Sequence, residues 1–199
     1  MELLLFSDVH RDLDAARSIV ERAPEVDAVV GAGDFAVQRR GLAEVIDILS
    51  AIDRPTILVA GNGESPDELR AACEGWKSAH VLHGESVEID GVSFFGLGAA
   101  VPVTPFGDWS YDITEGEAAD LLRDCPTGAV LVSHSPPLGH VDRDSSGRHH
   151  GSASVLEAVR ASEPRLVVCG HIHACWGERS EEDETTIINA GPAGVAYTL

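Results

Sequence analysis

The chain has 199 residues, 44% of them hydrophobic, which is enough to bury a substantial core, and one domain over residues 1–199 is expected. Its formal net charge of −19 at pH 7 argues against a long nucleic acid as partner, because that affinity rests on Lys and Arg neutralising phosphates, and Lys77 is the single lysine among fourteen basic residues. No apolar stretch approaches the roughly 20 residues of a membrane span, the start MELLLFSDVH lacks the marks of a secretory signal, and Cys73, Cys125, Cys169 and Cys175 show no CxxC spacing, so a cytoplasmic protein with buried thiols is expected.

Residues 2–6 predict a strand, and Asp12 or Asp14 caps a helix to about Ala23 with Leu13, Ala16, Ile19 and Val20 on one face. A second strand is expected from Asp27 to Val30, a helix from Gly41 to Ile52, and a third strand from Thr56 to Ala60. That βαβαβ order means right-handed crossovers and a parallel sheet. Ser65 and Pro66 start a short helix through about Ala72. From Val81 the texture changes to GESVEID and GVSFFGLG, joined at Asp90 and Gly91 as a hairpin, and a second half begins.

Residues 101–112 read as a loop with three aromatic residues, Phe106, Trp109 and Tyr111, either a wall for a base or an aromatic leaving group or a small satellite hydrophobic cluster. A helix follows from Glu115 to Arg123, a strand from Ala129 to Val132, a helix from Ser152 to Ala161 and a strand from Arg165 to Cys169. The tail reads as antiparallel, with strands near Cys175 to Glu178, Thr185 to Asn189 and Val195 to Thr198, and SEEDE as an exposed acidic turn. Two packed sheets with helices outside them accommodate this order.

Five apolar runs end in residues that bind divalent metals: Asp8 and His10 after LLLFS, Asp34 after AVVGAG, Asn62 after TILVAG, His134 after AVLVS, and His171 and His173 after RLVVCG. Ligands in open α/β sheets collect at the carboxyl ends of the strands, so these seven residues are expected to meet at one edge. Three carboxylate or amide oxygens and four imidazoles suffice for two adjacent divalent ions, with Asp34 able to bridge them. The glycines at 33, 61 and 170 fit a backbone that must turn sharply there.

Asp-x-His near the start, then Gly-Asp, Gly-Asn, a strand-end His and Gly-His-x-His resembles the calcineurin-like metallophosphoesterase superfamily from residue 8 to residue 173. The resemblance implies an α/β fold, a four-layer αββα sandwich of two mixed β-sheets flanked by helices. It implies that Asp8, His10 and His173 hold one metal, that Asn62, His134 and His171 hold the other, and that Asp34 is shared. Asp34, Asn62 and His134 are thereby expected in catalysis, with a metal-bridging hydroxide attacking phosphorus. Two divalent ions are the expected cofactors, manganese first, with iron, zinc, cobalt or nickel as alternatives that the same donors accept.

One position departs from the commonest family pattern. Many members read GNH, whose His contacts phosphate or protonates the leaving oxygen, whereas this chain reads GNGE with Gly63 at that place. Small prokaryotic phosphodiesterases of the superfamily also replace that His, which favours a small phosphodiester substrate over a monoester. His149 and His150 in RHHGS are the candidate replacement donors, with Arg148 on phosphate. Arg11 is either a second phosphate contact or an exposed residue at the helix start, and Glu64 either supports a ligand or favours the helix that follows. The alternatives are a phosphomonoesterase or a nuclease of the same superfamily and, in another class, a non-catalytic scaffold. The chain is compatible with a homo-oligomer.

Overall fold

The run ELLLF forms strand β1 (Glu2–Phe6) in the computed structural model, which describes residues 1–199. The Asp12 carboxylate accepts from the Asp14 and Ala15 backbone N–H groups to cap α1 (Leu13–Arg22), and a 3-10 turn (Ala23–Glu25) leads into β2 (Ala28–Gly31). Next come α2 (Leu42–Leu49) and β3 (Thr56–Leu58). The α3 helix (Pro66–Ala72) starts with a reciprocal capping box between Ser65 and Glu68. Strands β1, β2 and β3 are parallel, with Leu3 opposite Ala28 and Val29 opposite Thr56, as the βαβαβ order requires.

A fourth strand, β4 (Ala79–Val81), pairs parallel with β3, so the parallel run of the first sheet continues up to the point where the sequence texture changes. The run AHV is short, only partly buried and interrupted by His80, which hid it. The second half begins with β5 (Glu85–Ile89) and β6 (Val92–Leu97), a hairpin turning at Asp90 and Gly91 with φ of 50° and 78°. It continues through α4 (Glu115–Leu122), β7 (Val130–Ser133), α5 (Ala153–Ser162) and β8 (Leu166–Cys169).

The tail corrects the sequence reading in three places. His173–Cys175 is a 3-10 turn rather than the start of a strand, and β9 lies later, at Arg179–Glu182. SEEDE is therefore half strand: Ser180 to Glu182 belong to β9 and the turn is at Asp183 and Glu184. An edge strand tolerates such charge because one side of it faces water. Strand β10 (Thr185–Asn189) is antiparallel to β9 but parallel to β8, so the tail is mixed. Finally β11 (Val195–Thr198) returns to the first sheet, antiparallel to β1.

The sheets run β11-β1-β2-β3-β4 and β5-β6-β7-β8-β10-β9. Alternation along each strand divides the core. Leu3, Leu5, Val30 and Ile57 of the first sheet meet Phe94, Val130, Val132 and Val168 of the second, whereas Leu4 and Phe6 pack outward on Ile19, Val45 and Leu49 of the helices. On the far side Phe95, Leu131 and Val167 pack on Ala118, Leu122, Val155 and Val159 of α4 and α5. Each such fully buried side chain contributes about 1.5–3 kcal/mol, so both sheet faces must be covered. The result is the expected αββα sandwich, and no helix is long and apolar enough to cross a membrane.

Candidate metal centre

At the carboxyl ends of β1, β2 and β8 the chain turns through the left-handed region at residues that are not glycine: Asp8 (φ 52°), His10 (45°), Asp34 (58°) and His171 (65°). Such conformations cost free energy outside glycine and persist only where the surroundings impose them. Four of the seven expected ligand positions share this strain. Gly33 turns with φ of 91°, while at Gly61 and Gly170 a Cβ would run into the carboxylates of Asp34 and Asp8.

All seven residues come together. The donor atoms of Asp8, His10 and His173 lie within 4.8 Å of one another, as do those of Asp34, His134 and His171. Asn62 joins the second group, its Oδ1 being 3.3 Å from His134 Nε2. Asp34 faces both groups, with Oδ2 at 3.5 Å from His10 Nε2 and Oδ1 at 3.6 Å from His134 Nε2.

The imidazole tautomers test whether this cluster fits a cation. His10 Nδ1 donates to the Ala36 carbonyl at 3.2 Å and His134 Nδ1 donates to the Ala32 carbonyl at 2.7 Å. A carbonyl only accepts, so in the neutral rings both Nε2 atoms carry lone pairs. His10 Nε2 then faces His173 Nε2 at 3.0 Å, and His134 Nε2 faces the Asn62 and Asp34 oxygens. Nε2 lone pairs held among carboxylate and amide oxygens and a further imidazole suit divalent ions between them.

Charge adds to this. Burial pushes the Asp8 carboxyl above its usual range, whereas for Asp34 the opposing burial is outweighed by His134 and His10, which hold it low. Desolvation, then the neighbouring His134, push His171 down to about 3, so it stays neutral and able to bind metal at ordinary pH. Burial opposes protonation of His134 too, yet the Asp34 and Asp8 charges raise its pKa.

Three supporting residues, Ser7, Ser110 and Trp176, carried no sequence signal. Asp8 Oδ2 accepts from Ser7 Oγ at 2.5 Å and Trp176 Nε1 at 3.2 Å, and its Oδ1 accepts from the His171 backbone N–H. Ser110 Oγ accepts from Asn62 Nδ2 at 2.9 Å, leaving the amide oxygen turned towards His134. Glu64 is buried and accepts from the backbone N–H groups of Asp34, Phe35, Ala36 and Gly61. It ties the GD loop to the GN loop. Burial and then the Asp34 charge push its pKa up to about 7. Arg11, by contrast, turns to Glu44 at 3.1 Å, half exposed and outside the cavity over the cluster.

That cavity has a volume of about 920 Å³ and is lined by His10, Asp34, Asn62, His171 and His173 together with two loops, residues 102–106 with Trp109 and residues 144–151. Its lining includes Phe106 and Trp109, while Tyr111 packs on the second sheet's outer core. His149 and His150 both reach the cavity: His149 Nδ1 bonds to buried Asp142 Oδ1 at 2.6 Å, and His150 Nε2 to Asp144 Oδ2 at 2.8 Å. At Gly63 the space for a side chain is closed, since a Cβ would lie 2.8 Å from the Ala36 carbonyl oxygen, the same oxygen that His10 uses.

Residues 1–198 match the family model described as the calcineurin-like phosphoesterase superfamily domain. The UPF0046 protein K07C11.7 of Caenorhabditis elegans is 27% identical over 210 residues, covering 96% of this chain and 69% of that protein. UPF0046 protein T07D4.2 of the same organism is 33% identical over 104 residues, which is 50% of this chain and only 25% of the relative's own length. Among solved structures, TT1561 of Thermus thermophilus superposes with a TM-score of 0.74 at 19% identity, covering 96% of this chain and 90% of the other, a likeness of fold.

Proposed function

This chain belongs to the calcineurin-like phosphoesterase superfamily, and we propose that it is a dinuclear phosphodiesterase that hydrolyses a small soluble phosphodiester. The observation that carries this reading is Asp34 turned to both ligand groups, with the His10 and His134 lone pairs fixed inward by backbone carbonyls. Asp8, His10 and His173 would hold one ion and Asn62, His134 and His171 the other, with manganese the first candidate. Two such ions supply Lewis acidity on a phosphoryl oxygen and lower the pKa of water towards 7.

The chain's own contribution is orientation. Ser110 keeps the Asn62 oxygen inward, and Ser7 and Trp176 fix the Asp8 carboxylate. A diester is favoured over a monoester because position 63 has no donor and no room for one. The test is turnover of bis(p-nitrophenyl) phosphate against p-nitrophenyl phosphate with manganese added. The diester should be preferred and chelation should abolish both rates; a clear monoester preference overturns the substrate class.

For the proton on the leaving oxygen, His149 is the better of the two histidines. Its Nδ1 donates to a fully buried carboxylate, Asp142, which orients the ring with Nε2 unbonded, so the imidazolium form carries the Nε2 proton for the leaving oxygen, whereas the partner of His150 is partly exposed. His149→Gln should slow hydrolysis of a glycerophosphodiester, whose leaving group is an alkoxide, by about 10²-fold or more. A nitrophenyl ester needs no such proton and should be nearly unaffected. Equal losses on the two substrates would show that His149 does something other than donate.

A further inference from the structure

Apart from Ile172 and Ala174 beside the candidate ligands, the apolar side of the cavity comes from one loop, which carries none of the seven ligand residues and is left uncovered. Phe106 and Trp109 stack with ring centroids 5.6 Å apart and planes within 9° of parallel, and Phe106 remains 49% exposed. Val103, beside them on the same loop, is 58% exposed. Exposed side chains of this size lose the hydrophobic free energy that burial would give them, so a flat apolar face opening into a polar site is a cost without an occupant. The loop is anchored all the same: Thr104 and Ser110 bond to the Asp112 carboxylate, and Ser110 also holds Asn62. The platform is thereby tied to a residue of the candidate metal centre.

We infer that Phe106 and Trp109 bind a planar nitrogen heterocycle, a nucleobase, carried by the phosphoester whose phosphorus sits at the metal centre. This rests on the phosphoesterase reading of that centre. A third ring laid parallel on the pair extends an offset stack, which any base offers through its π-face. The rest of the lining separates a base from an acyl chain. Residues 144–151 bring Asp144, Ser145, Arg148 and His150 to the same cavity, and the polar edge of a heterocycle can bond to such groups while a hydrocarbon cannot. A volume of about 920 Å³ holds a nucleotide-sized ligand, and the net charge of −19 restricts the occupant to a small one rather than a polymer.

The manganese-loaded protein, titrated calorimetrically with adenosine 5′-monophosphate and with ribose 5-phosphate, compares ligands that differ by the base alone. The nucleotide should bind about tenfold more tightly. A Phe106→Leu, Trp109→Leu double variant keeps apolar side chains at both positions but loses the flat faces. It should keep the wild-type Tm and bind the two ligands alike. Equal affinities in the wild type, binding of neither ligand, or a preference that survives the double substitution would each overturn the inference. Turnover plays no part in the titration. A protein that prefers the base but hydrolyses no ester fails the catalytic reading alone, and one that hydrolyses the diester without preferring the base fails this inference alone.

Discussion

Asp34→Asn is expected to lower manganese-activated hydrolysis of bis(p-nitrophenyl) phosphate by about 10³-fold or more while the fold stays intact. Asp34 is the carboxylate that faces both ligand groups, 3.5 Å from His10 Nε2 and 3.6 Å from His134 Nε2. The Gly63 backbone N–H donates to its Oδ1 at 2.7 Å, so in the variant that position would keep the amide oxygen. The NH₂ group would then point towards His10, placing a donor where the cluster presents acceptors. One negative charge and one ligand atom are lost together. Metal analysis should read fewer than two ions per chain, and circular dichroism should match the wild type. A variant that keeps two ions and a rate within tenfold of wild type would mean that Asp34 does not bridge.

The largest effect on stability is expected at Glu64, which binds nothing in the cavity. Glu64→Ala should cost about 4 kcal/mol, or about 8–16 °C in Tm for a chain of this size. Four buried backbone N–H groups, from Asp34, Phe35, Ala36 and Gly61, lose their acceptor at once. Each orphaned donor costs about 1–3 kcal/mol, and the sum falls at the low end because water enters the vacated space. Glu64→Gln keeps one acceptor oxygen but turns an NH₂ towards other donors, so its loss should be intermediate. Scanning calorimetry on both variants checks the order. A fall of less than about 3 °C in Glu64→Ala would show that the two loops hold their shape without the carboxylate.

The strands and the ligand positions were legible for the same reason: a buried strand must be apolar along its length, so the polar residue that ends it stands out. Asp8, Asp34, Asn62, His134 and His171 each follow such a run. The supporting residues were not legible. Ser110 and Trp176 reach Asn62 and Asp8 from 48 and 168 residues away in sequence, and no local pattern encodes a contact at that separation. The strand β4 was missed because its burial is partial, and β9 was displaced because an edge strand carries charge like a turn.

Glu64 shows the boundary within one residue. Its place after Gly-Asn-Gly raised two roles, a ligand's support or a helix start; it does support a ligand, accepting from the Asp34 backbone N–H, and in the same contacts it joins two loops whose chain positions differ by about 30 residues. Likewise the sequence marks Gly63 as a departure, but only the Ala36 carbonyl packed against it shows that the space for a side chain is gone. What the sequence alone determined is therefore the first parallel βαβαβ unit, most of the strands and helices and the seven side chains at strand ends, because periodicity and burial are properties of short segments, while the sandwich followed from the family resemblance. What the tertiary structure decided is which lone pairs point inward, which loops are tied together and what wall faces the site, because those depend on contacts that close long stretches of chain.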